Sequence, residues 1–502
     1  MLTERRKDTS VQTRGAFIRT STFAASGVAF AGIPRFVRGA QTDIATLQGK
    51  LHGTLVFPTS KDYETLRRTF SFNPRTSAYP SIIAMCASED DVARVFDYAR
   101  NRGLDVAVRS GGHDVLGAST VNDGVIIDLS ELNHIDVVAD RKLATVGAGV
   151  LSGDLSDALQ KSAQAAALGC NPQVGVSGLT LGGGIGWLLG TAGAACDNLI
   201  QARMLTTDGR MRDVDAQSEP DLFWAIRGGG GNFGIVTSLT YQTHDVGEII
   251  GGWIAYPGER VIDFLRFYRE FMDAAPPELV IEVFVPSALQ PVLFAQVAFT
   301  GSQERAQRVL DPLMRFGPPL VSDVGSKPYA GFSAPGEAVA KLLKGPPADP
   351  HEATSSPGIY WLGANVDLLS DEAIAVIADR LKEAPKRNWA FSLGHYLHGA
   401  ICDVPSNASP FLRKRGSMTF HFDTWWSDAG RAAGAMEWVD ASLSAMRPCS
   451  SASTYVNYLG SDSSAAVEAS YGENYARLRT LKQRYDPDDL LRRNRNIRPI
   501  ER

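Results

Sequence analysis

Glycine is concentrated in one part of this 502-residue chain, and that feature constrains the fold more than any other. Residues 101–240 contain 23 of the 48 glycines, although they make up little more than a quarter of the sequence. Glycine permits positive φ angles and close approach of the backbone to another group, because it has no Cβ atom. Short β-rich runs lie between these glycines. The glycine content and the short β-rich runs therefore predict that this half has an α+β fold, with many tight turns that surround a bound ligand.

The pattern changes near residue 250, where amphipathic helices alternate with strands. Apolar residues between Val261 and Met272 recur at i, i+3, i+4 and i+7, which predicts a helix with one buried face. Strands are predicted in this half at Leu279–Pro286, Val292–Thr300, Ile359–Val366, Trp389–Tyr396 and Met418–Trp426. This order is typical of helices that cover a largely antiparallel sheet.

Two local signals mark elements of the first half. Ser88 and Asp91 predict a capping box at the start of a helix that ends before Gly103. The pair Asp208-Gly209, which lies between two extended runs, predicts a β-hairpin.

One glycine motif matches the pattern of a Rossmann dinucleotide site but lies in the wrong structural context. Gly229, Gly231 and Gly234 match the dinucleotide pattern G-x-G-x-x-G, which requires a strand before it and a helix after it. Here a helix-like run precedes the glycines and a strand-like run follows them. The reversed order excludes a Rossmann site for a nicotinamide cofactor.

Charge, cysteine content and hydropathy argue against several classes of protein. The chain has 50 basic and 55 acidic side chains, a net charge of −5, and the acidic excess is larger after residue 40. Nucleic acid is therefore not an expected partner, since its binding depends on neutralising phosphates. The five cysteines are too few and too scattered for a disulfide scaffold or a CxxC metal site. No apolar run reaches about 18 residues, so no membrane span is expected.

Residues 1–40 resemble an export signal, because a basic stretch is followed by the mildly apolar run Thr22–Pro34. Residues 13–19 resemble the twin-arginine pattern S-R-R-x-F-L-K, with Gly15 in place of the second arginine. We expect export to the periplasm or the medium. The alternative is a disordered basic tail on a cytoplasmic protein.

Four segments share an order and a spacing that carry more information than any of them alone. They are Val108–His113 with Asp123–Ser130, Val174–Trp187 with Cys196–Leu199, Asp221–Gly234, and Tyr455–Tyr458 with the tail to Pro499. Together they resemble the FAD-linked oxidases of the berberine-bridge-enzyme-like group, in the vanillyl-alcohol-oxidase fold family. The resemblance implies a discontinuous, two-subdomain FAD-binding domain of PCMH type, at residues 45–247 and 456–502. It also implies a substrate domain at residues 248–455, with an antiparallel sheet covered by helices.

An FAD site agrees with the glycine-rich turns, because successive glycines let backbone N–H groups converge on a pyrophosphate. The resemblance implies that Arg109–Asp114 wrap the pyrophosphate and that His113 bonds covalently to the 8α methyl group of the flavin. The expected cofactor-binding residues are Arg109, Ser110, Gly111, Gly112, His113, Asp114, Gly175, Val176, Gly178, Leu179, Gly182, Gly183, Gly186, Asp197, Asn198, Gly234, Ile235, Val236, Asn457, Tyr458 and Asn494.

A second covalent link is not expected. Many relatives attach the flavin again through the cysteine of a C-P-x-V-G-V motif, but here Asn171 precedes Pro172 and Cys170 is displaced by one residue. In an extended segment a displaced side chain points the other way. Cys170 is therefore predicted to be buried and inert.

The strand-like motif Tyr455-Val456-Asn457-Tyr458 resembles the one that brings a tyrosine to the flavin. Tyr458 is the expected proton acceptor, Tyr455 is the second candidate, and two packing tyrosines are the remaining interpretation. Some relatives have a further tyrosine where this chain has Ile185. A tyrosine base needs its pKa of about 10 lowered by cationic or hydrogen-bonding neighbours.

Substrate contacts are expected from the predicted strand Met418–Trp426. Alternation places His421 and Asp423 on one face, which is either a pocket lining or an exposed surface. His395 and His398 have no third ligand at metal-site spacing, so we predict no metal site there.

The resemblance implies a covalently flavinylated oxidase. It would transfer hydride from a C–H bond of an alcohol, sugar or natural product to flavin N5, and O2 would reoxidise the flavin to give H2O2. A small-molecule substrate and O2 are then the partners. Amine oxidation with ring closure, and a non-catalytic carrier of a small aromatic ligand, are the alternatives. The sequence leaves the oligomeric state open.

Overall fold

The structure is a computed structural model that describes residues 43–286, 292–342, 358–385, 389–426 and 428–500. The predicted export signal at residues 1–40 lies outside these ranges. The chain divides into two units, residues 1–51 and residues 52–502. In the first unit residues 43–48 form a short helix. None of the described helices is long and apolar enough to cross a bilayer.

Two sheets form the glycine-rich half of the second unit. The first has the spatial order β1-β2-β4-β3 and contains β1 (Thr54–Val56), β2 (Ile82–Met85), β3 (Val106–Arg109) and β4 (Val125–Asp128). Its last three strands are parallel. The second sheet is antiparallel, has the order β5-β6-β10-β8-β9, and contains β5 (Ile135–Val138), β6 (Leu143–Gly147), β8 (Leu199–Leu205), β9 (Met211–Asp215) and β10 (Ile235–Gln242). The short strands β7 (Gln164–Ala165) and β11 (His244–Asp245) pair with each other. The α-helices of this half are Tyr63–Leu66, Glu89–Asn101, Ser152–Gln160, Val176–Leu181, Leu189–Ala192 and Pro220–Ile226.

The predicted capping box forms only in part. The Ser88 hydroxyl accepts a hydrogen bond from the backbone N–H of Asp91, at 3.1 Å, as predicted. The buried Asp91 carboxylate does not return the bond to Ser88, but accepts the backbone N–H groups of His52, Gly53 and Ala87. Asp91 therefore ties the start of this helix to the chain that leads into β1.

Two predictions for this half, the hairpin and the order of elements around the G-x-G-x-x-G match, are confirmed. Asp208-Gly209 connects β8 to β9 as a hairpin, and Gly209 has a φ of +81°. The helix Pro220–Ile226 precedes the G-x-G-x-x-G match and β10 follows it. This is the reverse of the Rossmann order.

An antiparallel sheet of eight strands forms the second half, with the order β15-β12-β14-β13-β18-β19-β17 and β16 paired to β12. Its strands are β12 (Glu248–Pro257), β13 (Leu279–Pro286), β14 (Val292–Phe299), β15 (Val321–Ser322), β16 (Gly325–Pro328), β17 (Gly358–Val366), β18 (Trp389–Tyr396) and β19 (Met418–Trp426). The α-helices from here to the end of the chain are Val261–Asp273, Gln303–Arg315, Glu337–Leu342, Asp371–Lys382, Ala400–Asp403, Ala432–Met446, Ser464–Tyr471 and Tyr475–Tyr485.

Helices cover one face of this sheet, as the apolar periodicity predicted. Phe264, Leu310, Ile374 and Val439 come from four different helices and are buried in one core with the strands. Full burial of each such side chain stabilises the fold by about 1.5–3 kcal/mol. On the opposite face, Val339 of the helix Glu337–Leu342 packs against one end of the sheet. The part of that face that carries Glu282, Gln296 and His421 borders a cavity and is called the uncovered face.

A fully buried ion pair holds the C-terminal segment against the glycine-rich half. The Lys482 ammonium lies 2.6 Å from the Asp486 carboxylate, and both side chains are completely buried. The same ammonium donates hydrogen bonds to the carbonyl oxygens of Asn232 and Leu491. The last helix is thereby fixed to Asn232, within the third glycine-rich segment.

Removing one partner of this pair should be costly. We expect Asp486→Ala to lower the free energy of unfolding by up to about 3–5 kcal/mol, because the buried Lys482 ammonium then has one carboxylate, Asp489 at 3.1 Å, in place of two. Chemical denaturation of the purified protein measures the change. The matched control is Asp221→Ala, which removes an exposed pair with Arg477 and should cost less than about 1 kcal/mol. Equal small losses in the two variants would contradict this role for Lys482.

Candidate active site

A cavity of about 720 Å³ lies between the glycine-rich segments and the uncovered face of the eight-stranded sheet. Most of the predicted site residues line it. They are Ser110, Gly111, Gly112, His113, Asp114, Gly175, Gly178, Leu179, Gly182, Gly234, Ile235, Val236, His421, Asp423, Tyr455, Asn457, Tyr458 and Asn494. Residues predicted from separate motifs are thus brought together in one space.

Six predicted cofactor residues do not line the cavity. They are Arg109, Val176, Gly183, Gly186, Asp197 and Asn198. The Arg109 guanidinium is buried at 2.6 Å from the carboxylate of Asp128, on the neighbouring strand. Asp197 lies 2.6 Å from Arg413, and the Asn198 side chain donates hydrogen bonds to carbonyl oxygens of nearby backbone. These side chains hold the loops of the site in place and do not line the cavity.

The first two glycine-rich segments cross in direct backbone contact. A Cβ atom at Gly111 would lie 2.4 Å from the backbone nitrogen of Gly175, and one at Gly175 would lie 2.2 Å from Ser110 Oγ. Only glycine allows this crossing. In contrast, a Cβ atom at Gly178 or Gly231 would meet no atom within 4 Å, because both residues face the cavity. The glycines therefore form a cradle that leaves backbone N–H groups accessible to a ligand.

Polar groups at this end of the cavity suit the phosphates and sugars of a dinucleotide. Ser119 Oγ, Asn494 Oδ1 and the Tyr471 hydroxyl are buried and have no hydrogen-bond partner within the described part of the chain. Arg493 and Arg495 also line the cavity, and guanidinium groups are well suited to phosphate. Burial lowers the pKa of Arg495 to about 10, so it stays charged at neutral pH. The residues present therefore fit FAD.

The two arginines were not predicted. They flank Asn494, which was predicted, but arginines are common on protein surfaces and nothing local marks Arg495 as buried. Arg495 pairs with the Asp114 carboxylate, and only the tertiary fold brings together these two residues, far apart in sequence.

The His113 ring lies in the cavity wall with a defined orientation. It stacks on Phe70 with ring centroids 4.0 Å apart and an angle of 15° between the planes. This contact holds the imidazole beside the glycine cradle. The covalent link through His113 stays a prediction.

The uncovered face of the sheet supplies the opposite wall. Cross-strand pairing places Glu282 of β13 beside Gln296 of β14, and Gln296 beside Trp253 of β12. The alternation predicted for β19 is present, because His421 and Asp423 line the cavity. Met418, Phe420 and Phe422, which alternate with them, are buried in the core. His421 Nδ1 lies 3.1 Å from an oxygen of Asp423.

A register shift in β18 adds a histidine to this wall. The pairing of β18 with β19 is irregular between Leu393 and Tyr396, which is where a bulge turns a side chain to the other face. His395 lines the cavity, and its Nε2 lies 3.1 Å from Glu282 Oε1 and 3.3 Å from Cys170 Sγ. Burial raises the pKa of Glu282 to about 7 and lowers the pKa of His395 to about 3.

Sequence reasoning missed Glu282 altogether. The available signal was a single carboxylate in the otherwise apolar run Leu279–Pro286. The prediction that Cys170 is buried is wrong in part, because the residue lines the cavity and is partly exposed. Burial and the nearby Glu282 hold the pKa of its thiol well above the usual range, which agrees with the predicted low reactivity.

The two candidate base residues differ in their surroundings. The Tyr455 hydroxyl accepts hydrogen bonds from the Gly184 backbone N–H at 3.0 Å and from Asn457 Nδ2 at 2.8 Å. The Tyr458 ring stands edge-on to Trp361 at 5.1 Å, and its hydroxyl has no hydrogen-bond partner among the described residues. Burial raises the pKa of both hydroxyls. Tyr455 thus has the neighbours that a base needs, while Tyr458 is freer to meet a ligand, and the choice stays a prediction.

Comparison with known proteins agrees with the geometry of the cavity. Residues 80–215 match the family model of an FAD binding domain, and residues 454–498 match the model described as berberine and berberine like. A Bacillus subtilis protein, the uncharacterized FAD-linked oxidoreductase YgaK, is 30% identical over 465 residues. The match covers 90% of this chain and 98% of YgaK.

Two further similarities are to proteins named as 6-hydroxynicotine oxidases. The (R)-6-hydroxynicotine oxidase of Paenarthrobacter nicotinovorans is 28% identical over 472 residues, covering 89% of this chain and 97% of that enzyme. The crystal structure of 6-hydroxy-D-nicotine oxidase from Arthrobacter nicotinovorans superimposes with a TM-score of 0.79 at 25% identity. It covers 90% of this chain and 99% of that structure.

Proposed function

Since this chain belongs to the berberine-bridge-enzyme-like family of FAD-linked oxidoreductases, we propose that it oxidises a small molecule at a carbon that bears a hydroxyl or amino group. Bound FAD supplies the redox chemistry, acceptance of a hydride at N5 and return of the electrons to O2 as H2O2. The covalent link through His113 is part of the same proposal.

The protein's own groups bind, orient and deprotonate the substrate. Backbone N–H groups of the glycine cradle, with Arg493 and Arg495, would hold the pyrophosphate. Tyr458, between the cradle and the sheet, would act as its phenolate: its hydroxyl would first give up its own proton to solvent and then take the proton of the substrate hydroxyl or amine. Trp361 and Trp253 line the cavity and would shield the reacting carbon from water.

One observation supports this proposal most strongly. A single cavity joins the glycine cradle to a sheet face that carries two histidine–carboxylate pairs, Glu282 with His395 and Asp423 with His421. Burial of titratable groups on a sheet face costs free energy even when they are paired, and a polar ligand in the cavity would offset part of that cost. The substrate is thus expected to have both an apolar body and polar substituents.

The charges on the sheet side favour an amine as the second candidate class. Glu282 and Asp423 face the cavity there, and among the described lining residues no lysine or arginine comes from the sheet. A cationic amine would be attracted to the Asp423 carboxylate, and an anionic substrate would be repelled. The relative named as a 6-hydroxynicotine oxidase supports the same class.

A panel of alcohols, sugars, amines and carboxylic acids, assayed for H2O2 release, separates these classes. We expect Asp423→Asn to raise KM for an amine substrate at least about tenfold, because a hydrogen bond to a charged group contributes about 1.5–3 kcal/mol. For a neutral alcohol of similar shape, the control, KM should change little. Release of H2O2 from carboxylic acids alone, or from no compound on the panel, would contradict the proposal.

A further inference from the structure

Three potential metal ligands converge at one point of the cavity wall. Cys170 Sγ, Glu282 Oε1 and His395 Nε2 all lie within 4.8 Å of one another. They come from three separate parts of the chain, so no sequence spacing signals them. From this convergence we propose that the protein binds one divalent cation of the zinc type, with Cys170, Glu282 and His395 as its ligands.

The distances fit a tetrahedral ion. Zinc lies about 2.3 Å from sulfur and about 2.0–2.2 Å from nitrogen or oxygen, which in a tetrahedron places neighbouring ligand atoms about 3.3–3.7 Å apart. In the structure Nε2 of His395 is 3.3 Å from the Cys170 sulfur and 3.1 Å from the Glu282 oxygen. The third pair of ligand atoms, the Cys170 sulfur and a Glu282 carboxylate oxygen, lies within 4.8 Å, so side-chain shifts of up to about 1 Å would complete the coordination.

The orientation of His395 argues against a nucleophilic triad of cysteine, histidine and acid. In such a triad the nucleophile and the acid face opposite ring nitrogens. Here both Cys170 and Glu282 face Nε2, while Nδ1 lies 3.4 Å from Thr419 Oγ1. In metal sites the second ring nitrogen of a bound histidine makes a hydrogen bond that fixes the orientation of the ring, and the Thr419 hydroxyl lies in position to make it.

Two of the three ligands lie on strands of the sheet, and Cys170 lies in a loop. Glu282 lies in β13 and His395 in β18, which are adjacent strands in the middle of the sheet. The Thr419 hydroxyl also accepts the backbone N–H of His395, at 2.9 Å. Ligands fixed on strands hold a metal site better than ligands on loops.

The chemistry of the ligand set indicates which ion would bind. A mixed sulfur, nitrogen and oxygen set suits zinc, whereas magnesium and calcium require oxygen ligands. A thiolate and a carboxylate together balance the charge of a divalent ion, which removes the cost of burying it. All three residues line the cavity, so the fourth position is open to water or to a hydroxyl of a ligand.

Metal content of the full-length holoprotein tests this site directly. After incubation with zinc sulfate and dialysis against metal-free buffer, we expect elemental analysis to find one zinc per chain. Cadmium in its place should give a thiolate-to-metal absorption band in the ultraviolet difference spectrum. The measurement needs no substrate, so its outcome is independent of the proposed oxidase activity.

Variants assign the ligands. Cys170→Ser and His395→Asn should each weaken zinc binding at least about tenfold, since the loss of even a supporting group costs about 10–100-fold. The control is Cys402→Ser, at a half-buried thiol that does not line the cavity, and its binding should be unchanged. If either variant loses its flavin, Glu282→Gln, which keeps the shape of the side chain, replaces it. No retained zinc in the wild type, or equal retention in Cys170→Ser and His395→Asn, would overturn the site.

Discussion

Acid-denatured wild-type protein is expected to keep its yellow flavin in the pellet, and His113→Ala is expected to release all of it to the supernatant. The reason is the covalent bond proposed between the imidazole and the flavin. Phe70 stacks on this ring and holds it in the cavity wall, beside the glycine cradle. Absorption of the pellet and the supernatant, followed by mass spectrometry of a tryptic flavopeptide, measures the effect.

Cys170→Ala is the matched control, and its flavin should remain in the pellet. The Cys170 thiol contacts His395 on the sheet side of the cavity, which supports a single attachment. A flavopeptide joined through both His113 and Cys170 would show that the argument from the displaced cysteine is wrong. Release of flavin from the unmodified protein would contradict the covalent link itself.

Tyr458→Phe is expected to slow flavin reduction by substrate by a factor of about 10²–10⁴, the usual effect of losing a general base. Phenylalanine preserves the ring that packs against Trp361 but removes the hydroxyl that faces the cavity. The flavin should therefore stay bound while its anaerobic reduction slows, and stopped-flow absorbance measures the rate.

Tyr455→Phe is the parallel variant, because Tyr455 is the other candidate and accepts two hydrogen bonds. A large loss in Tyr455→Phe together with near wild-type reduction in Tyr458→Phe would move the role of base to Tyr455. Similar, small effects in both variants would leave neither tyrosine as the proton acceptor.

The sequence predicted elements and faces well wherever the signal is periodic. Strand β19 has the predicted bounds Met418–Trp426, and the same two-residue period separates its core face from its cavity face. Alternation is a local property, set by the geometry of an extended chain, so it can be recognised without knowing the rest of the fold.

Local signals failed where the outcome depends on contacts between distant segments. His395 faces the cavity only because β18 shifts its register against β19, and that shift is not encoded in the run Trp389–Tyr396 by itself. The Asp91 carboxylate bonds to the distant backbone of His52 and Gly53 instead of completing its local capping box.

The resemblance to known motifs located the segments predicted to bind the cofactor. It did not show which residues of each segment line the cavity and which hold the segment in place. Ser110 lines the cavity, whereas the adjacent Arg109 forms a buried ion pair with Asp128 and does not line the cavity. Asn198 belongs to a predicted segment too, yet its side chain bonds to backbone and to His244. Which residues of a motif face the ligand depends on the direction of each side chain, and a one-residue step along a strand reverses it.

Anaerobic reduction followed by reoxidation tests the proposed oxidase function most directly. When a substrate found on the panel is added without O2, the flavin absorbance of the purified protein should bleach. When O2 is admitted, the absorbance should return with release of one H2O2 for each flavin. Binding of the compound without bleaching would identify a carrier, and bleaching that O2 does not reverse would identify a dehydrogenase. Either result would contradict an oxidase.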